Sequence, residues 1–156
     1  MTDLRTTTDF QAHPGAPRPP QHVVLKWEGD HRFEGGRPNG VTHKIDASAK
    51  TGPSPVDSLL LALASCTSVD VVDILAKRRT PARTLEVDVV AQRAVGVPAR
   101  VTSIQLTYTI TTDEEFDRSH AERAIDLAVN KYCSVRDSLD PNMPIEWKLV
   151  LNGRDA

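Results

Sequence analysis

From Val23 onward the chain alternates between short apolar runs and clusters of turn formers, and the period of each run identifies an element. Val23-Val24-Leu25-Lys26-Trp27 is rich in strand formers, Gly29-Asp30 interrupts it, and His31-Arg32-Phe33-Glu34 resumes it. A second turn cluster, Gly35 to Gly40, leads into Val41–Asp46, so this stretch predicts a three-stranded meander. Ala47 to Pro53 reads as a loop. Ser54 then has the features of an N-cap, with Pro55 at the first helical position and Asp57 three residues beyond the cap. The spacing predicts a helix to about Arg79, stopping before Pro81, with Lys77, Arg78 and Arg79 suited to the negative end of its dipole. Its first half is apolar nearly all round, which predicts a central, fully buried helix.

Further along, Leu85–Val89 and Ile104–Ile110 alternate apolar and polar residues, and Gly96 and Pro98 lie between them. The pattern predicts a long hairpin. Thr112 and Glu115 predict a capping box for a second helix, on which Ala121, Ala124, Ile125, Ala128, Val129 and Tyr132 recur at helical spacing. Cys133 continues the buried Ile125–Val129 row. After Asp140-Pro141, Ile145–Val150 is a last strand. The order βββ-α-ββ-α-β predicts an α+β domain of segregated antiparallel strands. Residues 1–21, carrying Pro14, Pro17, Pro19 and Pro20, predict a disordered proline-rich arm, and 22–156 a single folded domain.

Composition narrows the function classes. The 156 residues suffice for one domain with a real core, and a net charge of −2 offers no electrostatic pull toward nucleic acid or a membrane surface. Aromatic residues are only 4%, too sparse for a base-stacking platform. The N-terminus shows no apolar signal-peptide core, and the run Leu59–Ala64 falls far short of the roughly 20 residues that cross a bilayer. A cytoplasmic protein is therefore expected, where paired cysteines are more often redox-active or metal-binding than structural. Two cysteines without Cys-x-x-Cys or His-x-x-x-His spacing do not build a zinc site, and no metal or cofactor is expected. The five histidines are scattered and receive no role.

The two cysteines are the only residues placed for covalent chemistry. Cys66, Asp70, Asp73 and Lys77 share one row of the first helix. That row reads either as the edge of a cleft or as a solvated stripe beside a small core hydrophobe. The neighbouring carboxylates would raise a thiol pKa, so a reactive Cys66 needs a cation from elsewhere in the fold. Cys133 reads equally as the last apolar residue of an amphipathic helix, and spacing alone does not bring the two thiols together.

From about Trp27 to Gly153 the chain resembles the OsmC/Ohr family of thiol-dependent hydroperoxide reductases. The carrying segments are Gly52-Pro53-Ser54-Pro55 through Cys66-Thr67-Ser68-Val69-Asp70-Val71-Val72, and Ala124 through Lys131-Tyr132-Cys133-Ser134-Val135. The Lys-Tyr-Cys-Ser-Val ending is most similar to the OsmC-like branch. The resemblance implies antiparallel sheets wrapped around two long central helices in an intertwined homodimer. It also implies that Cys66 is the peroxidatic cysteine and Cys133 the resolving one, with an organic hydroperoxide as substrate, an external dithiol as reductant and a role in oxidative-stress defence. The family's thiolate-holding arginine corresponds to Arg32, with Arg37 second. The family places a Glu directly after the helix-start proline. Here Val56 stands there and Asp57 follows, so Asp57 is either that acid displaced or the capping-box partner of Ser54. Two other roles stay open, a non-catalytic dimer that binds a small hydrophobic ligand and a redox sensor without turnover.

Overall fold

The computed structural model describes residues 17–113 and 118–155. Most of the proline-rich arm and Glu115 of the expected second capping box lie outside the described residues; Pro17–Val23 are exposed and without regular structure. The meander is present as β1 (Val24–Trp27), β2 (Arg32–Gly36) and β3 (Thr42–Asp46), antiparallel throughout, with Trp27 opposite Phe33 and Phe33 opposite Ile45. Its backbone ladders are reinforced by exposed cross-strand polar pairs. Lys44 Nζ lies 2.7 Å from Glu28 and 3.7 Å from Glu34, and Thr42 donates to Glu34. Such exposed pairs contribute little, about 0–1 kcal/mol each.

Helix α1 (Pro55–Lys77) follows and ends at Arg78, one residue short of the expected stop. Its buried residues Leu63, Ala64, Thr67, Val71 and Leu75 form a single stripe at spacings of three and four. The stripe packs into one cluster with Ile104, Leu106, Tyr108 and Ile110 of β5 (Val101–Thr111) and Leu149 and Leu151 of β6 (Ile145–Leu151). Ala121, Ala124 and Ile125 of α2 (Arg118–Leu127) close it. Each large aliphatic side chain so buried contributes about 1.5–3 kcal/mol. β4 (Thr84–Arg93) completes the second sheet, ordered β4-β5-β6, and pairs antiparallel with β5 as the expected hairpin.

Three expectations are corrected. β6 runs parallel to β5, with Ile104 opposite Ile145 and Ile110 opposite Leu151, so the second sheet is mixed. The connection carries α2, and a crossover through a helix returns the chain in its original direction. The second helix also changes form: α2 runs straight into a π-helical turn, Ala128–Tyr132, and α3 (Ser134–Asp137) follows. Finally, α1 is buried on one face only within a single chain, because Leu61 is 55% and Val69 62% exposed. By length and apolar composition α1 would suffice to cross a membrane; here its packed face serves as the floor of the core.

Candidate functional site: the Cys66–Cys133 thiol pair

The site is built from the start of α1 upward. Asp46, the last residue of β3, is buried and its carboxylate accepts four hydrogen bonds: from the backbone N–H and hydroxyl of Ser48 (2.8 and 2.7 Å) and those of Thr51 (3.1 and 2.9 Å). These bonds, Ser48's first, hold the carboxyl far below the ordinary carboxylate range. The loop they tie closes further where the Asp46 N–H donates to the Pro53 carbonyl at 3.0 Å. Gly52 is required there, since a Cβ would stand 2.6 Å from the Lys44 carbonyl oxygen.

Ser54 then caps the helix as expected. Its hydroxyl accepts from the Asp57 N–H at 3.1 Å, and its own N–H donates to Asp57 Oδ2 at 2.9 Å. The capping-box reading of Asp57 is the one observed. The bonds from Ser54 hold its carboxyl below the ordinary value, with the charge of Arg93 adding to the effect. Asp57 is exposed at the helix start, and no hydrogen bond or ion pair among the described residues joins it to Cys66.

Cys66 stands half-buried, between the packed stripe of α1 and its exposed apolar face. Asp70, one turn on, is held above its ordinary carboxyl value, by burial first and then by the charge of Asp73, while Lys77 opposes the rise. Asp73 and Lys77 are exposed, so the row is a solvated stripe that begins one turn beyond the thiol. The neighbouring Thr67 is fully buried. Its hydroxyl is shared between the Leu63 and Ala64 carbonyls (3.1 and 3.0 Å) and accepts the Tyr108 hydroxyl at 2.6 Å. Burial pushes the Tyr108 phenol up to about 12; the bond to Thr67 opposes that rise and the charge of Cys133 adds to it.

Cys133 reaches the same place by a different route. Its N–H bonds back five residues to the Ala128 carbonyl at 3.1 Å, the mark of the π turn. The residue itself then leaves the helix with extended geometry (φ −71°, ψ 106°) and becomes the N-cap of α3. Its sulfur accepts the Arg136 N–H at 3.3 Å. The expectation that Cys133 continues the helical row holds for its burial and fails for its conformation: the π turn shifts the frame and extended backbone carries the thiol inward. Burial pushes the thiol up to about 11, and a side-chain hydrogen-bonding contact with Cys66 and the charge of Cys66 push the same way. The backbone N–H groups of Arg136 and Val135 pull against them without prevailing. Contacts between α1 and both the π turn and α3 hold the two cysteines side by side in one chain, as free thiols.

The two arginines lie elsewhere. Arg32 pairs with Asp30 at 3.3 Å at the β1–β2 turn, and Arg37, directly after Gly35-Gly36, donates to Gln21 at 3.2 Å. Neither makes a hydrogen bond or ion pair to Cys66 among the described residues. What sequence reasoning missed is the Tyr108–Thr67 link. The alternation of β5 already turned Tyr108 to the same side as Leu106 and Ile110, and a buried tyrosine hydroxyl needs a partner. Among the described residues no cluster of three or more His, Cys, Asp or Glu side chains is arranged to hold a metal ion.

An α+β fold that brings two distant cysteines into contact beneath a mixed sheet defines a class of thiol-pair proteins. The chain belongs to the OsmC family, whose model for OsmC-like proteins matches residues 47–148. It is 35% identical over 112 residues to Protein YhfA of Escherichia coli K12, an alignment covering 71% of this chain and 83% of that protein. Solved structures share the fold, two of which show its range. The OsmC-like protein from Mycoplasma pneumoniae superposes with a TM-score of 0.71 at 16% identity, covering 83% of this chain and 95% of that one. The organic hydroperoxide resistance protein OhrB of Bacillus subtilis does so with a TM-score of 0.55 at 18% identity, covering 82% and 96%.

Proposed function

We propose that this protein is a two-cysteine peroxidase that reduces organic hydroperoxides in the cytoplasm, working as a homodimer in oxidative-stress defence. The observation that carries the reading is the contact between Cys66 and Cys133, with the buried Cys133 thiol pushed to the protonated side. In that arrangement Cys66, half-buried beside the exposed face of α1, is the sulfur a peroxide can reach, with Cys133 in position to resolve it. The Cys66 thiolate attacks the distal peroxide oxygen. An S–O bond forms as the O–O bond breaks, and the alkoxide takes a proton and leaves as the alcohol. The Cys133 thiol then attacks the Cys66 sulfenic acid, a disulfide forms and water leaves. Two electrons from an external dithiol restore both thiols by exchange.

The homodimer reading rests on unpartnered apolar surface. Leu61, Val69 and Val72 on α1 are exposed, as are Leu25, Trp27 and Val41 of the meander region. The α1 face borders Cys66, so a partner covering it would give the thiol an apolar approach suited to an alkyl or aryl peroxide. A partner's meander is also the available source of the missing cation, with Arg32 the assigned residue and its pairing to Asp30 the contact to be exchanged.

Counting free thiols after one equivalent of cumene hydroperoxide tests the reading. Wild type loses both thiols within seconds. Cys133→Ser stops at a sulfenic or over-oxidised Cys66, and Cys66→Ser consumes no peroxide. Loss as slow as that of an unactivated thiol would refute it.

A further inference from the structure

A cavity of about 200 Å³ opens on Cys133 from the side of the π turn, lined by Asn130, Lys131, Arg136 and Asp137 around the sulfur. Its walls are polar, and they carry two cations against one carboxylate. Lys131 lies 5.5 Å from the Tyr132 ring centroid, which steadies the ammonium beside the opening. Among the described residues neither Lys131 nor Arg136 has a carboxylate within ion-pairing distance. This surface differs in kind from the exposed apolar face of α1 that borders Cys66. The two sulfurs are thus approached through environments of opposite character.

We propose that the cavity admits the reductant, a small thiol bearing a carboxylate, and that this thiol attacks the Cys66–Cys133 disulfide at Cys133. The proposal rests on the disulfide of the proposed function. The incoming thiolate bonds to the Cys133 sulfur, the S–S bond breaks, and the electron pair leaves on Cys66. A second thiol attacks the mixed disulfide from outside, releasing Cys133, which takes up a proton. Two external thiols become one external disulfide as the protein gains two electrons. The direction of attack follows from access, because the cavity is lined by Cys133 and not by Cys66. Asp137 tempers the selection without reversing it, since both cations line the same small volume.

The experiment starts from the disulfide made with diamide, which needs no peroxide chemistry. Reduction rates per thiolate are compared for 3-mercaptopropionate, 2-mercaptoethanol and cysteamine, which are anionic, neutral and cationic. Charged clefts accelerate partners of opposite sign by about ten- to a thousandfold, so the anionic thiol should outpace the cationic one by about tenfold or more. That ratio should fall toward one in Lys131→Gln/Arg136→Gln and at high salt. Alkylating quench followed by peptide mass mapping should find the mixed disulfide on Cys133. Equal rates for the three thiols, a ratio unchanged in the double variant, or an adduct on Cys66 would each overturn the cavity assignment. A disulfide that forms with diamide and not with cumene hydroperoxide sinks the peroxidase reading alone. No disulfide under either oxidant sinks both.

Discussion

The two three-stranded sheets of this chain have almost opposite physical circumstances. The second sheet turns Ile104, Leu106, Tyr108 and Ile110 into a closed core beneath α1 and α2. The meander buries only Gly35 and Asp46, while Trp27 is 70% and Val41 95% exposed. Among the described residues it packs on α1 mainly through β3. A three-stranded sheet gains independent stability from an apolar face it buries, and within this chain the meander leaves most of its apolar side chains exposed. One region of the chain buries its apolar residues against itself; the other leaves them open, which is where the proposed homodimer would form.

The largest effect should fall on assembly. Leu25→Asp with Trp27→Asp places charges on the exposed face of β1 and should convert a dimer to monomer in sedimentation equilibrium. A mass that is unchanged, or monomeric from the outset, would break the contrast between the regions. Next in size, Leu106→Ala should cost about 2–5 kcal/mol in urea unfolding, the usual range for a buried leucine. The same truncation at Leu25, measured with Trp27→Asp alone as the background, should stay within about 0.5 kcal/mol. A similar loss at both positions would show that the meander has a core of its own. Tyr108→Phe should cost about 1–2 kcal/mol, because the Thr67 hydroxyl loses its buried donor. Ser54→Ala should cost about 1 kcal/mol through the lost cap, read from the same urea curves.

Two pH limbs sharpen the comparison further. Asp46 and Asp57 have carboxyls held below their ordinary values. In acid the unfolded chain therefore takes up protons first, and stability present above the ordinary carboxylate range of about 4 is lost as the pH falls below it. Asp46→Asn should flatten that limb in an acid titration of the urea midpoint. Cys133 has the opposite sign. Its thiol ionises at about 11 in the fold, so the unfolded chain loses the proton first and stability declines as the pH rises from about 8.5, the ordinary thiol value, toward 11. Cys133→Ser should remove that decline.

The meander, the capped helix and the long hairpin were legible because each rests on local chemistry: Gly29-Asp30, the Ser54–Asp57 box and the Ile104–Ile110 alternation. The parallel β6 was not, since nothing in Ile145–Leu151 records which neighbour it joins or in which direction. The π turn was equally hidden. Ala128–Tyr132 keeps a helical apolar rhythm, and nothing in it marks the shift to five-residue bonding that ends at the Cys133 N–H. At the site, both cysteines and the alternative reading of Asp57 as a cap came from the chain alone. The meeting of the cysteines depends on how the π turn and α3 pack on α1, which is tertiary information. Arg32 could be assigned only by resemblance, and a single chain leaves it with Asp30.

The exposure of Trp27 has an optical consequence. The chain has two tryptophans, one in each region: Trp27 in the open on β1, its indole N–H donating to the Asp30 carbonyl at 2.9 Å, and Trp147 half-buried on β6 beside the core. A Trp147→Phe protein therefore emits only from the meander, and a Trp27→Phe protein only from the self-contained half. With the two lamps lit separately, covering of the meander and melting of the core become distinct colour changes, each followed in its own single-tryptophan variant without any attached dye.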